Sequence, residues 1–353
     1  MTVSFDDIPA PAEAQGRLIG HDAAERELLT AWNGGRMPHA WLFAGPQGVG
    51  KETLAYRLAR YVLAGAPQRD TLDVAADDAV SRRVASGGHA DLKTVRVGFD
   101  DKRKRERSEI VVDDIRGLGD FLRLTPGEGG WRVAIVDSAE RMNRNAANAL
   151  LKVLEEPPAR ALLILVCHAP GRLPATVRSR CGTLRLGPLA RDQAIQLFGS
   201  WRTGLDDASI ATLADLADGS PGRALALARA GGLDLCQELL AVLDSLPALD
   251  IPAAHALADK LARPGQEAAF RAAGDLLLRW VHGTIRMAAT GRPADGGMVA
   301  SGPALAAARS GLEGWLAVWE KLNRLMTQVE GANMDRKQTV LSALFALDGA
   351  ARA

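Results

Sequence analysis

The chain has 353 residues, and its 43 lysines and arginines balance 42 acidic residues to a net charge of +1. This near-neutral balance argues against a protein that grips nucleic acid through a broad basic face. Three scattered cysteines fit neither a disulfide framework nor a four-thiolate zinc site. The acidic, proline-containing stretch 1–15 is unlike a signal peptide, and no apolar run approaches the ~18 residues of a membrane span. We therefore expect a cytoplasmic, zinc-free protein of two or three domains.

The first motif is a glycine loop between an apolar strand at 39–44 and a helix at 54–63; the loop reads GPQGVGKET. Its glycines let the backbone curl around an anion, the helix N-terminus adds partial positive charge, and the lysine would reach the outer phosphates. The candidate nucleotide-binding residues, including one at the end of a later strand, are Gly45, Gly48, Gly50, Lys51, Thr53 and Asp137.

This loop departs from the full phosphate-binding pattern at one position. The pattern places Ser or Thr directly after the lysine, where the hydroxyl holds Mg²⁺, but Glu52 occupies that place. Thr53 comes one residue late, a rotation of roughly 100° about a helix axis, and the carboxylate of Glu52 would repel phosphates. The loop is interpreted as a fold marker first and a weak nucleotide site second. A glycine turn without a ligand is the alternative.

The stretch from 131 to 181 reads as the second half of a nucleotide-binding α/β sheet. A buried strand at 131–136 ends in Asp137, and a helix with Asn145 as a candidate cap follows. Pro157 and Pro158 stop that helix, and a second buried strand runs from 161 to 166.

The position after Asp137 bears on catalysis. An ATPase of this layout follows the metal-orienting Asp with a glutamate that activates water, but Ser138 stands there and Glu140 comes three residues after Asp137. Glu52 thus stands where a Mg²⁺-binding hydroxyl is needed, and Ser138 stands where a water-activating glutamate is needed. Together they predict that hydrolysis is not the task of this chain.

The segments around these motifs carry weaker signals. Residues 64–91 read as irregular, and Asp113 is expected to cap a helix. The charge run 100–108 is interpreted as a solvated loop or hairpin tip, with a phosphate-backbone contact as the alternative.

Two motifs about 20 residues apart carry a family resemblance. Residues 148–158 read NALLKVLEEPP, and residues 179–181 read SRC. Together they resemble the bacterial clamp-loader branch of the AAA+ ATPases, over residues 17 to about 190. Within the DNA polymerase III clamp loader, the chain resembles the kind of subunit whose phosphate loop and acidic motif are degraded. The motor subunits instead keep a Lys-Ser/Thr and an Asp-Glu pair.

The resemblance implies roles for single residues. In the family, the arginine of the SRC motif projects into the ATP site of the neighbouring subunit, which makes Arg180 the candidate arginine finger acting in trans. Lys152, Glu155 and Glu156 are expected to be solvated. His168 or Cys167 stands at the sensor position, with a structural strand-end histidine as the alternative. For Arg223 the sequence leaves two alternatives open: nucleotide sensing, or a structural role in helix capping or packing.

The resemblance also implies a function and partners. The expected protein is a largely non-hydrolysing, stator-like subunit that lends Arg180 to a neighbour and helps load the sliding clamp on primed DNA. Its partners would be gamma/tau-like ATPases and a delta-like subunit in a hetero-oligomeric ring, with clamp and DNA met through the complex. No cofactor is required, and weak ATP or ADP binding is left open. The alternative is an active clamp-loader ATPase.

The predicted fold is an α/β AAA+ parallel sheet with a small helical lid, followed by an all-α collar domain. The predicted boundaries are 1–188, 189–248 and 249–353. Residues after about 250 read as helical and alanine-rich. Their apolar stripes are expected to lie mostly in a helical core, at Leu276, Leu277, Trp280, Ile285, Leu312, Trp315, Leu316, Trp319, Leu322 and Leu325.

Overall fold

The computed structural model describes residues 18–67, 70–100, 105–128, 130–201, 205–229, 232–292, 305, 307–309, 311–332 and 335–352. The extended lead-in expected at 5–17 lies outside these residues. The chain divides between Leu189 and Ala190 into two compact units. The N-terminal unit ends at Leu189, and the C-terminal unit begins at Ala190.

The N-terminal unit is built on a five-stranded parallel sheet. Its strands are β1 (Ala40–Ala44), β2 (Leu92–Val95), β5 (Arg132–Val136), β6 (Ala161–Cys167) and β7 (Gly182–Arg185), in the order β2-β5-β6-β1-β7. All residues of β1, β5 and β6 are buried, as expected of strands covered on both faces. The predicted α/β class with a parallel sheet is confirmed.

Helices cover both faces of this sheet. They are α1 (Asp22–Asn33), α2 (Lys51–Leu63), α3 (Ala79–Ala85), α4 (Val112–Arg123), α5 (Arg144–Glu155) and α6 (Ala175–Arg178). Along β6, Leu162 and Ile164 join the core of α1 to α3, whereas Leu163 and Leu165 join the core of α4 and α5. This alternation follows from the period of two in a strand. Two 3₁₀ turns, Ala139–Arg141 and Pro170–Arg172, follow β5 and β6.

Local predictions failed at several points in this unit. Residues 64–91 were expected to be irregular, but α3 lies within them, capped by Asp78. The cap of α5 is Asn143, which accepts a hydrogen bond from Ala146 N at 2.9 Å, and not Asn145. Helix α4 begins one residue before Asp113, so Asp113 lies in the first turn and the capping carboxylate is Asp114.

The charge run beside the sheet includes a short hairpin. Strand β3 (Phe99–Asp100) pairs antiparallel with β4 (Arg105–Glu106). Residues 101–104, which hold most of the predicted charged tip, lie outside the described part of the chain.

In the C-terminal unit, helices form all of the regular secondary structure of the described residues. Its helices are α7 (Arg191–Gly199), α8 (Asp207–Ala217), α9 (Pro221–Arg229), α10 (Gly232–Asp244), α11 (Ile251–Ala262), α12 (Glu267–Thr290), α13 (Leu312–Ala332) and α14 (Arg336–Arg352). Trp280 of α12 and Trp315 of α13 are buried with ring centroids 5.8 Å apart. Most of the stripe residues that were expected in the core are buried or partly buried, and two of them, Leu316 and Trp319, are exposed. The division at 248 between lid and collar stays a prediction.

Candidate functional site

The carboxyl ends of three neighbouring strands bring the predicted site residues together. Strand β6 lies between β5 and β1, and all three are parallel. The glycine loop follows β1, Asp137 follows β5, and His168 follows β6. This sheet edge is where open α/β folds bind ligands. The chain therefore assembles the expected constellation at one edge.

The glycine loop is curled, and two of its glycines are required by their surroundings. A Cβ on Gly45 would lie 2.0 Å from the carbonyl oxygen of Leu186, which is backbone and cannot move aside. Gly50 has a φ of +104°, a region that side-chain-bearing residues rarely adopt. Positive φ values at Gly45, Gly48 and Gly50 give the loop its curled path. Whether the loop holds nucleotide stays a prediction.

Lys51 is directed into the loop itself. Its Nζ donates hydrogen bonds to the carbonyl oxygens of Gly45 at 2.8 Å and Pro46 at 2.5 Å. Burial lowers the pKa of Lys51 to about 8, although the nearby Glu140 and Asp137 carboxylates act in the opposite direction. The ammonium group thus binds the carbonyls of its own loop in this conformation.

Glu52 is paired with a residue that sequence reasoning missed. Its Oε1 lies 2.5 Å from NH2 of Arg96, which comes directly after β2. Sequence reasoning treated the carboxylate of Glu52 only as a repulsive group for phosphates, whereas the structure pairs it with a guanidinium. Thr53 is buried in α2. Arg96 directly follows β2 and so lies at the sheet end where the other strand-end residues meet, but only the structure shows where that strand ends.

The two acidic residues that follow β5 both contact neighbouring polar groups. Asp137 has the Ser138 hydroxyl 3.5 Å away, and Ser138 adopts a left-handed backbone conformation with a φ of 55°. Glu140, on the following 3₁₀ turn, lies 2.9 Å from Nδ1 of His168 and accepts a hydrogen bond from the backbone N of His168 at 3.0 Å.

These contacts change the acid–base behaviour of Glu140. Burial acts to raise its pKa, but the side-chain and backbone hydrogen bonds from His168 outweigh burial and bring it down to about 2. A carboxylate that is so weakly basic is a poor general base near neutral pH. His168 thereby has a structural partner, which favours the structural interpretation of this histidine.

Cys167 offers no reactive group at the same strand end. Burial, together with the neighbouring Glu140, raises the pKa of its thiol to about 12. The thiol therefore stays protonated near neutral pH, and a thiolate is the form that acts as nucleophile or metal ligand.

Arg180 lies apart from this cluster of paired charges. It follows α6 and precedes β7, and its side chain is 38% exposed. NH1 donates to the carbonyl oxygen of Thr176 at 2.9 Å, and NH2 lies 3.1 Å from Oε1 of Glu155 at the end of α5. The two family motifs therefore touch each other. Glu155 was expected to be only solvated, but it is the ion-pair partner of Arg180.

Arg223 belongs to the C-terminal unit and is engaged there. Its NH1 donates to the carbonyl oxygen of Ala217 at the end of α8, at 3.1 Å. Its Nε lies 2.9 Å from Oδ2 of Asp275. Both contacts favour the capping or packing alternative over nucleotide sensing.

Two absences among the described residues concern metal binding and membrane spans. Within those residues, no three His, Cys, Asp or Glu side chains cluster as a metal site would require. Among the described helices, none has both the length and the apolar character needed to cross a bilayer.

Comparisons with known proteins show what the part of the chain that carries the site is similar to. Residues 20–190 match the family model described as DNA polymerase III, delta subunit. The chain is 36% identical over 158 residues to DNA polymerase III subunit delta' of Pseudomonas aeruginosa, which is 44% of this chain and 46% of that protein. It is 34% identical over 201 residues to subunit delta' of Escherichia coli K12, 57% of this chain and 58% of that protein.

Other relatives are similar over related stretches. The tau subunit of DNA polymerase III from E. coli K12 is 29% identical over 214 residues, 60% of this chain and 32% of tau. A gamma subunit-related protein of Thermotoga maritima aligns with a TM-score of 0.40 and 20% identity over 89% of this chain and 95% of that one. The matched segment thus spans about half the length of the delta' relatives.

Proposed function

We propose a function for a chain whose residues 20–190 match the model of the DNA polymerase III delta subunit and which is 34–36% identical to delta' subunits over the aligned residues. It is a largely non-hydrolysing, stator-like subunit of the clamp loader. It supplies Arg180 to the ATP site of a neighbouring subunit and helps load the sliding clamp on primed DNA. One contrast carries the proposal: Lys51 is buried and Glu140 is only 8% exposed at the chain's own loop, whereas Arg180 and its partner Glu155 are 38% and 52% exposed.

Three residues at the candidate site support the absence of hydrolysis. Glu52 replaces the metal-binding hydroxyl, and Ser138 replaces the water-activating glutamate. Glu140 is the next carboxylate along the chain, but its hydrogen bonds to His168 leave it a poor base. The positions for orienting the metal and for activating water are thus both unfit.

The surroundings of Arg180 support a role in trans. A guanidinium at a γ-phosphate stabilises the charge that spreads over its oxygens during transfer, and its planar fork matches phosphate geometry. The ion pair with Glu155 involves two side chains that are 38% and 52% exposed, and such pairs contribute only about 0–1 kcal/mol. Exchanging Glu155 for a phosphate therefore costs little.

The partners follow from this role. A finger that acts in trans requires at least one neighbour with a complete ATP site, such as a gamma/tau-like ATPase. We place the chain in a hetero-oligomeric, cytoplasmic ring with such ATPases and a delta-like subunit, and the ring engages the clamp and primer-template DNA. In this role the subunit itself needs no cofactor, and any ATP or ADP binding at its loop is weak.

The test is ATP hydrolysis by the reconstituted complex with clamp and primed DNA present. Arg180→Ala should lower hydrolysis at the one site concerned by on the order of 10³-fold, with a smaller fall for the whole complex because other sites remain. Arg178→Ala is the matched control, an exposed arginine two residues earlier in the same segment. An unchanged rate with Arg180→Ala in a fully assembled complex contradicts the arginine-finger role.

One observation favours the alternative of an active motor, since the loop keeps its glycines, its lysine and its curled shape. ATP turnover by the isolated chain separates the two functions, with Lys51→Ala as the control. A stator-like subunit shows no turnover. Turnover that disappears in Lys51→Ala would make this chain a motor.

A further inference from the structure

Arg96 lies at the sheet edge that carries the glycine loop, between two carboxylates. Its NH2 is 2.5 Å from Oε1 of Glu52, the residue after the loop lysine. Its Nε is 4.0 Å from Oδ2 of Asp137, the residue after β5. One guanidinium therefore neutralises acidic groups from two sides of the candidate site.

Further contacts fix the position of this guanidinium. NH2 of Arg96 also donates to the hydroxyl of Tyr56 at 3.2 Å, and the guanidinium carbon lies 6.0 Å from the centre of the Tyr56 ring. The Tyr56 hydroxyl is in turn 2.9 Å from Oγ1 of Thr94 on β2. Tyr56 comes four residues after Glu52 on α2, so both lie on one face of the helix. Arg96 is held by α2 and by the end of its own strand.

The same two positions bear on magnesium. In phosphate-loop ATPases, the hydroxyl after the lysine and an acid at a strand end hold the ion. Here those positions are Glu52 and Asp137, and Arg96 contacts the first and lies near the second. A divalent ion bound by these oxygens would lie close to a permanent positive charge, since arginine stays protonated in proteins. The residues present do not fit a magnesium ion while Arg96 occupies this place.

We propose that Arg96 is the resident cation of the glycine loop, taking the charge-neutralising place of a divalent metal between Glu52 and Asp137. The loop thereby excludes magnesium, and a nucleoside phosphate would reach it only as the metal-free anion. This inference deepens the proposed non-hydrolysing function, but it concerns metal binding alone. Its test does not involve Arg180, a partner subunit or ATP turnover, so the two proposals can fail separately.

The test is binding of Mn²⁺ to the isolated full chain, followed through the loss of the free-ion electron paramagnetic resonance signal. Arg96→Ala leaves Glu52 and Asp137 without the shared guanidinium, and carboxylates are good ligands for this hard cation. We expect Arg96→Ala to bind one Mn²⁺ on the order of tenfold more tightly than the wild type. Adding Asp137→Asn to Arg96→Ala should abolish the gain.

The matched control is Arg116→Ala, which removes an exposed arginine that is paired with Asp113 at 3.3 Å on α4. This variant should bind Mn²⁺ like the wild type. Because the Arg96 side chain is 46% exposed, the variant should fold, which circular dichroism checks, and Arg96→Gln is the second variant with the same expectation. The proposal is overturned if folded Arg96 variants gain no Mn²⁺ affinity, if the wild type already binds as tightly, or if the gain survives Asp137→Asn.

Discussion

The glycine loop and the segment around Arg180 belong to the same unit but treat their charges in opposite ways. At the loop, Lys51 donates to its own backbone, Glu52 pairs with Arg96, and Glu140 pairs with His168. After α6, Arg180 is exposed and held by one exposed carboxylate. Lys51 is buried and Glu140 is 8% exposed in the first region, whereas both members of the Arg180–Glu155 pair are exposed to solvent in the second.

If the proposed function holds, this difference teaches how a chain retains a phosphate-loop fold while the group that acts in chemistry, Arg180, lies elsewhere. A loop whose charges are satisfied internally still shapes the sheet edge, because its glycines set the path between β1 and α2. In the proposed function, Arg180 acts when a neighbouring chain brings a phosphate to it. The comparison predicts that substitutions at the loop lower the free energy of unfolding strongly and that substitutions beside Arg180 lower it little.

The largest structural effect is expected at Gly45. The Cβ of Gly45→Ala would lie 2.0 Å from the Leu186 carbonyl oxygen, and this overpacking should lower the free energy of unfolding by about 3 kcal/mol. Gly35→Ala is the control, since Gly35 has a φ of +64° but no described atom within 4 Å of the place its new methyl group would take. That control should cost only roughly 1–2 kcal/mol of backbone strain.

Urea denaturation of the two glycine variants measures this difference. If both variants lose the same free energy of unfolding, the backbone around Gly45 adjusts to the added methyl group at little cost. The description of the loop as a structural element would then be wrong.

An intermediate effect is expected from Glu140→Gln. The change removes the negative charge that accepts two hydrogen bonds from His168, and hydrogen bonds to charged groups contribute about 1.5–3 kcal/mol. The pKa of Glu140 is lowered from 4.5 to about 2 in the folded chain. The contribution of the Glu140 charge to the free energy of unfolding is therefore fully present above pH 4.5 and is lost as the pH falls towards 2.

Unfolding free energies of the wild type and of Glu140→Gln should therefore differ at pH 7 and converge between pH 4.5 and pH 2. Glu156→Gln, at an exposed carboxylate just after α5, is the control and should change stability by less than about 0.5 kcal/mol. A pH-independent difference for Glu140→Gln would show that its charge does not stabilise the loop region.

The sequence predicted the parts of this site that depend on neighbouring residues. The glycine loop, the two apolar strands and the positions of Asp137 and Arg180 follow from local patterns. Parallel strands then bring their carboxyl ends to one edge without further information. The short helix α3 was missed because its seven residues span only about two turns, too few to show a helical period.

The pairings that decide the chemistry depend on distant residues. Arg96 meets Glu52 across 44 positions in the sequence, and Arg180 meets Glu155 only because α6 lies beside the end of α5. No local pattern shows which carboxylate either arginine meets. The same reasoning applies to Trp319 of α13: periodicity identified its stripe, but only the neighbouring helices determine which part of the stripe is covered.

The smallest effect is expected from Glu155→Gln, which removes the partner of Arg180. Because the ion pair is exposed, the free energy of unfolding should fall by no more than about 1 kcal/mol. In the reconstituted complex, ATP hydrolysis should stay at or slightly above the wild-type rate, because Arg180 no longer has to leave a carboxylate to reach a phosphate. A loss as large as that of Arg180→Ala would mean that Glu155 positions the arginine. The outward-facing segment would then be as tightly organised as the loop, and the contrast between the two regions would disappear.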